Sequence, residues 1–246
     1  MDEVRLLKVL DDVVGAVRQA LDGLDHWGPS GVRPGQYHLD LAADGAALPV
    51  LHGAGMAVLS EESGLSGDTS AGLLAVIDPV DGSTNAYRGI PFYATSVCVL
   101  DTEGPLVGVV VNQATGTRFA AARGGGAERD GSTIAPSGCT DLPGAIVGIT
   151  GFPGHHPGWA QFRALGAAAL EFCAVAEGVT DAFMVAGQST LFGWDYLAGM
   201  LICAEAGAVT IERDGAELAV RDDATRRPIV AATRQLAESL GREDAL

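Results

Sequence analysis

Between residues 4 and 24, Leu6, Leu10, Val13, Val17, Leu21 and Leu24 recur at a 3.6-residue period, which predicts one amphipathic helix. The breakers of 28–35 (Gly-Pro-Ser-Gly-Val-Arg-Pro-Gly) predict a loop. Residues 39–44 lead into a short apolar segment that Pro49 is expected to interrupt. Short apolar runs predict strands at 56–59, 73–77, 94–100, 106–111, 117–122, 146–149 and 181–186, with a hairpin turn around Gly116. Two apolar helices are expected at 164–177 and 196–206. A strand pair around 209–211 and 229–232 and a short helix from Thr233 close the chain. No repeat or low-complexity segment interrupts this order, and helix, strands and then mixed elements fit layered α/β sandwiching better than a Rossmann alternation.

The chemistry gathers where apolar elements end. The run 73–77 delivers Asp78 and Asp81 into a Pro/Gly turn, and Gly82, Ser83 and Thr84 then offer amides and hydroxyls where a helix can begin. Carboxylates there suit a hard cation, and the amides suit an oxyanion. Glu61 and Glu62 follow another strand and alone read as a solvated turn, while Asp195 alone reads as an N-cap. Together, Glu61, Asp78, Asp81 and Asp195 each end an apolar element, a costly place for a carboxylate without a cation. Four such groups on separate elements can converge on two or three Mg²⁺, which also share phosphate oxygens with a substrate. His155 and His156 are adjacent in a Gly/Pro loop and lack a spacing that converges on one ion; the glycines of 123–127 have no dinucleotide-binding context.

Composition narrows the partners. With 15 Lys and Arg against 31 Asp and Glu, the net charge of −16 argues against nucleic acid and anionic membranes. A small phosphorylated substrate stays compatible, because divalent metal can supply the positive charge. Four scattered cysteines without a CxxC suit buried thiols in a reducing compartment, and neither a signal peptide nor a membrane-spanning run is legible, so a cytoplasmic protein is expected. The 246 residues are read as a single domain, 1–246, in two closely packed halves of roughly 1–140 and 141–246.

Asp78-Pro79-Val80-Asp81-Gly82-Ser83-Thr84-Asn85 resembles the DP(I/V)DG(T/S)TN signature of the inositol monophosphatase family. Ser60-Glu61-Glu62-Ser63 is similar to its GEES motif, with Ser in place of Gly, and Trp194-Asp195-Tyr196-Leu197-Ala198-Gly199 to its WDxAAG motif. The glycine turn 123–127 and the closing stretch 227–232 match in order and place. The resemblance implies a five-layer αβαβα sandwich and a Mg²⁺-dependent, lithium-sensitive phosphomonoesterase, commonly a homodimer, which Li⁺ or Ca²⁺ inhibits. It further implies that Glu61, Asp78 and the carbonyl of Val80 hold one metal, and Asp78, Asp81 and Asp195 a second. A third, weaker ion would lean on Glu61. Glu61 and the Ser83 hydroxyl, oriented by Asp44, would take the proton of the attacking water. Asp81, Gly82, Ser83, Thr84 and Asp195 would face the substrate.

Three departures bear on the substrate. The segment between Asp44 and Glu61 is short for the family. Val185 stands where inositol-selective relatives carry a hydroxyl-binding glutamate, with extra residues before Gly193. The loop 151–158 and the helix from Arg163 are compact, with Gly166-Ala167-Ala168 able to line the pocket. The expected substrate is therefore a small phosphorylated polyol such as inositol 1-phosphate; histidinol phosphate, a sugar phosphate or a nucleotide 2′- or 3′-phosphate are the alternatives. A regulatory, non-catalytic family member is the reading from another class.

Overall fold

The structure, a computed structural model, describes residues 1–70 and 72–243. The expected span 1–246 thus takes in Ala71 and residues 244–246, which lie outside the described residues. Helices α1 (Glu3–Asp22) and α2 (His38–Gly53) form the first layer. The predicted stripe Leu6, Leu10, Val13, Val17 and Leu21 is the buried face of α1, and Asp2 caps it by accepting from the Arg5 amide at 2.9 Å.

The second layer is a sheet of eight strands in the order β2-β1-β3-β4-β5-β6-β7-β8. These are β1 (Ala57–Ser60), β2 (Gly64–Ser66), β3 (Leu74–Asp81), β4 (Ala94–Asp101), β5 (Gly104–Asn112), β6 (Arg118–Ala122), β7 (Gly126–Arg129) and β8 (Ser132–Thr133). The one-turn α3 (Ser83–Arg88) joins β3 to β4. A second sheet, ordered β10-β9-β11-β13-β12, comprises β9 (Ile146–Thr150), β10 (Gln161–Arg163), β11 (Ala182–Val185), β12 (Val209–Glu212) and β13 (Pro228–Ala231). Helices α4 (Ala168–Ala176) and α5 (Gly193–Ala206) lie between the sheets, and α6 (Arg234–Glu243) covers the outer face of the second.

Three apolar clusters hold the five layers together: α1 and α2 on the first sheet, α4 and α5 between the sheets, and α6 on the second. The αβαβα sandwich expected from sequence is the fold observed. Strand β3 is buried on both faces because helices cover both sides, which is why its sequence runs apolar instead of alternating. Gly108 of β5 lets α5 settle onto the sheet, since a Cβ there would stand 3.2 Å from the Ala198 Cα.

Four local expectations are corrected. Pro49 does not interrupt α2, which runs on to Gly53. Pro49 and Gly45, whose carbonyl the ring opposes, both face solvent, so that carbonyl can tilt toward water. Strand β3 continues through Pro79 to Asp81, its pairing with β4 slipping between Asp78 and Asp81. Helix α4 starts at Ala168, and residues 161–163 before it are strand. Asp195 is the third residue of α5 and accepts from the Phe192 amide at 2.7 Å; it closes the capping box from inside, with Phe192 as N-cap. Among the described residues no helix is long and apolar enough to cross a membrane.

Candidate active site

Glu61 follows β1, Asp78 and Asp81 lie in the second half of strand β3, and Asp195 enters from the first turn of α5. Strands β1 and β3 run parallel, with Ser60 opposite Ile77, so Glu61 and Asp78 leave the same end of the sheet side by side. The Glu61 and Asp78 carboxyls stand close enough that the charge of Glu61 raises the pKa of Asp78. Asp78 also accepts from the Val80 amide at 2.9 Å, which pins it across the slipped register. Asp81 reaches over the sheet to α4, where its two oxygens accept from the amides of Ala168 (3.2 Å) and Ala169 (2.7 Å).

Asp78 and Asp81 are 3% and 7% exposed. Burial, then the neighbouring charge of Glu61 for Asp78 and of Asp195 for Asp81, pushes both carboxyls well above the ordinary range. Asp195 is pushed up to about 7 by burial. Desolvation by the groups packed around it, then the Asp195 charge, raises Glu61 to about 7, though the residue itself is exposed at the mouth of the site and solvent screens it more than the two aspartates. No ion pair between described residues involves Asp78, Asp81 or Asp195; Arg33, the nearby guanidinium, is engaged by Glu62 at 2.5 Å.

Burial raises all four carboxyls, the Asp195 charge raises Glu61, Asp78 and Asp81 further, and no ion pair between described residues neutralises Asp78, Asp81 or Asp195, which makes an anionic hollow that fits divalent cations. Among the described residues no three acidic, imidazole or thiol groups are drawn in to ligating distance, so the fit rests on burial, mutual repulsion and the oxygen-only donor set.

Beside the carboxylates the chain turns sharply. Gly82 has φ +84°, and a Cβ there would come within 3.0 Å of both the Ala167 Cβ and the Gly166 carbonyl, so only glycine fits. The turn presents Ser83 and Thr84 on the first turn of α3. The Thr84 hydroxyl lies 3.1 Å from the Tyr37 hydroxyl, and Asn85 ties the turn to Phe92 and Leu165.

Asp44 accepts from the Ser60 hydroxyl at 2.5 Å and from Ser63 at 3.3 Å, bracing the end of β1. The α2 carboxyl that feels the charges of Glu62 and Glu61 is Asp40, one turn earlier, 5% exposed and pushed up to about 7 chiefly by burial. Sequence reading passed over Asp40; its signal was the third position of a helix that Pro49 had seemed to cut short. Val185 is fully buried against the central helices and presents no polar group to the site. Phe192 stacks on Trp194 at 4.6 Å and 15°, and Trp194 lines a cavity of about 430 Å³ beside Glu61 together with Arg33, Glu62 and Arg221.

Comparison with known proteins agrees with this geometry. The model of the inositol monophosphatase family matches residues 52–243. A fructose-1,6-bisphosphatase/inositol-1-monophosphatase of Archaeoglobus fulgidus is 32% identical over 96% of both chains. The chloroplastic phosphatase IMPL1 of Arabidopsis thaliana is 37% identical over 67% of this chain, which spans about half (49%) of that relative's length. The Nus factor SuhB of Escherichia coli is 34% identical over 64% of this chain and 63% of its own. Among solved structures, an inositol monophosphatase from Anabaena superposes with a TM-score of 0.78 at 25% identity over 97% of this chain and 96% of its own. The extragenic suppressor protein SuhB of Bartonella henselae does so at 0.82, with 24% identity over 98% of both.

Proposed function

The chain belongs to the inositol monophosphatase family, and from that premise we propose that it is a Mg²⁺-dependent phosphomonoesterase acting on a small phosphorylated polyol. The observation that carries the reading is the hollow of Glu61, Asp78, Asp81 and Asp195, anionic, buried at its floor and, among the described residues, with no ion pair to its three aspartates, set against the Gly82–Thr84 turn. Glu61, Asp78, Asp81 and Asp195, with the Val80 carbonyl, would hold the ions. Bound divalent metal supplies the positive charge that admits a phosphate and lowers the pKa of water toward neutrality.

The chain's own groups divide the remaining work. Glu61 stands at the mouth of the hollow, where its carboxylate would accept the proton of the attacking water. The Ser83 hydroxyl, on the turn after Asp81, is the second group proposed to take that proton, and Asp40, raised by burial and by the charges of Glu62 and Glu61, adds negative charge to the same corner. The amides at the Gly82–Thr84 turn suit the phosphate oxygens. Asp81 is held by the start of α4, so its oxygens are fixed before any ligand arrives.

On the leaving-group side, Val185 offers no carboxylate, and the exposed edge is the Phe192 ring, stacked on the buried Trp194. This supports a leaving group other than inositol as strongly as inositol itself; histidinol phosphate, a sugar phosphate or a nucleotide 2′- or 3′-phosphate enter on equal terms. Assay of phosphate release from p-nitrophenyl phosphate and from these monoesters, with and without Mg²⁺, tests the reading. Metal-dependent turnover of at least one monoester is expected.

Relatives named as Nus factor SuhB favour a second reading, a regulatory family member. The strongly acidic surface and the complete set of metal carboxylates weigh against it. Folded protein without metal-dependent phosphate release from any ester would favour it.

A further inference from the structure

One buried acid has no part in the reading above. Glu171 lies on the first turn of α4 and is 1% exposed. Its two oxygens are placed differently. Oε1 accepts from the Leu165 amide at 2.9 Å. Oε2 is buried without a hydrogen-bond partner, facing β9 at Gly148, where a Cβ would stand 2.4 Å from it. The second sheet has given up a side chain to admit this carboxyl.

Leu165 is gripped from the other side as well. Its carbonyl accepts from Asn85 Nδ2 at 2.7 Å, and the same nitrogen donates to the Phe92 carbonyl at 2.8 Å. Residues 165–167 are thus clamped between α4 and the turn that follows Asp81. They also press on that turn, since Gly166 and Ala167 fill the space over Gly82. The segment runs straight into Ala168 and Ala169, whose amides hold both Asp81 oxygens.

A helical side chain leans toward the N-terminus of its helix, so Glu171 is the residue of α4 placed to reach back to Leu165. An apolar side chain of equal size could fill the space but would leave the Leu165 amide without its acceptor. We infer that Glu171 is a positioning residue for Asp81: by holding Leu165 it sets where the N-terminus of α4, and with it the Asp81 carboxylate, stands. It touches neither substrate nor ion. The inference rests on the reading of Asp81 as a metal ligand.

Three variants test it, each checked for native circular dichroism: Glu171→Met, Glu171→Gln and Asn85→Asp. Mg²⁺ binding is measured by calorimetry and turnover by phosphate release. Groups that orient metal ligands are worth about 10- to 100-fold in affinity or rate. Glu171→Met is expected to weaken Mg²⁺ binding and lower kcat at least about tenfold, with KM within about twofold. Glu171→Gln keeps an acceptor for Leu165 and should stay within about threefold of the parent. Asn85→Asp removes the donor to the Leu165 carbonyl, should mimic Glu171→Met, and carries the test if that variant does not fold.

A folded Glu171→Met with parental Mg²⁺ affinity overturns the inference. So does a Glu171→Gln as impaired as Glu171→Met, because then the acceptor is not what matters. If the parent binds Mg²⁺ but hydrolyses no ester, and Glu171→Met weakens that binding, the proposed function fails while the positioning role stands. A parent that binds no Mg²⁺ overturns both.

Discussion

The two sides of the candidate site are built from different materials. The metal side is made of element ends: β1 supplies Glu61, β3 supplies Asp78 and Asp81, and α5 supplies Asp195. Its aspartates on β3 are buried, and backbone amides fix them at 2.7–3.2 Å. The side proposed for the leaving group is made of connections, residues 151–160 and 186–192, with Phe152 and Phe192 exposed. Its bonds are chiefly to main chain, such as Arg227 on the Gly187 carbonyl. Rigid charge on one side and replaceable surface on the other is how one reaction can serve many leaving groups.

The sharpest way to break this contrast is Asp78→Asn. The side chain keeps its size and can still accept from the Val80 amide, while the charge is lost where two ions would be shared. Metal-derived stabilisation of several kcal/mol corresponds to a loss of kcat on the order of a thousandfold. Because the buried acid is strained by burial and by Glu61, the variant should melt no lower than the parent without metal. Phosphate-release kinetics beside thermal melts check both halves. A variant retaining metal-dependent turnover would remove the metal side from the mechanism.

The same contrast decides what could be read from sequence. Carboxylates ending apolar runs are visible because burial and charge conflict there, and the order of helix, strands and mixed elements points to layered α/β, while the five-layer sandwich itself comes from the family resemblance. What escaped was geometry set at longer range. Pro49 looks like a stop until its solvent-facing position is known, and with α2 cut short Asp40 had no helix to present it. Asp195 sits at the third helical position although the helix is expected to begin only at Tyr196, because Phe192 caps the helix without a polar side chain to announce it. Glu171 reads as one acid in an alanine-rich helix, and only the packing of β9 against α4 reveals that it is buried. The leaving-group loops carry no periodicity, so pattern reading finds no purchase there.

A smaller effect separates the two sides through pH. Without metal, Asp40, Glu61 and Asp195 titrate near 7 in the folded protein, against ordinary values of 3.8 to 4.5. Between those limits the unfolded chain has lost protons that the folded one keeps. Their contribution to stability is therefore greatest below about pH 4 and is lost as pH rises through about 7. Mg²⁺ competes with those protons and should reverse the trend. At a hundredfold excess over its Kd it would add about 2.7 kcal/mol, or several degrees in melting temperature, at about pH 8. At about pH 5.5 the gain should be distinctly smaller. Equal gains at both pH values would mean that the ion binds elsewhere. Leaving-group variants such as Phe192→Ala should leave this pH dependence untouched.

The least effect is expected from Phe192→Ala itself, and it asks whether the second side reads the substrate at all. The Phe192 ring stacks on Trp194 at 4.6 Å, while its backbone amide, not its side chain, serves Asp195. Truncation therefore spares the carboxylate and removes one aromatic surface beside the cavity next to Glu61. Stacked aromatic contacts are worth roughly 0.5–1.5 kcal/mol, so KM for the preferred monoester should rise by about two- to tenfold. Turnover at saturation and the Mg²⁺ concentration for half-activation should hold steady, since uniform binding is lost and nothing in the metal hollow moves. The substrates most affected across a panel would be those whose leaving group reaches the ring. If kcat falls and KM does not, Phe192 acts through Asp195, and the boundary between a fixed metal side and a replaceable leaving-group side must be drawn beyond α5.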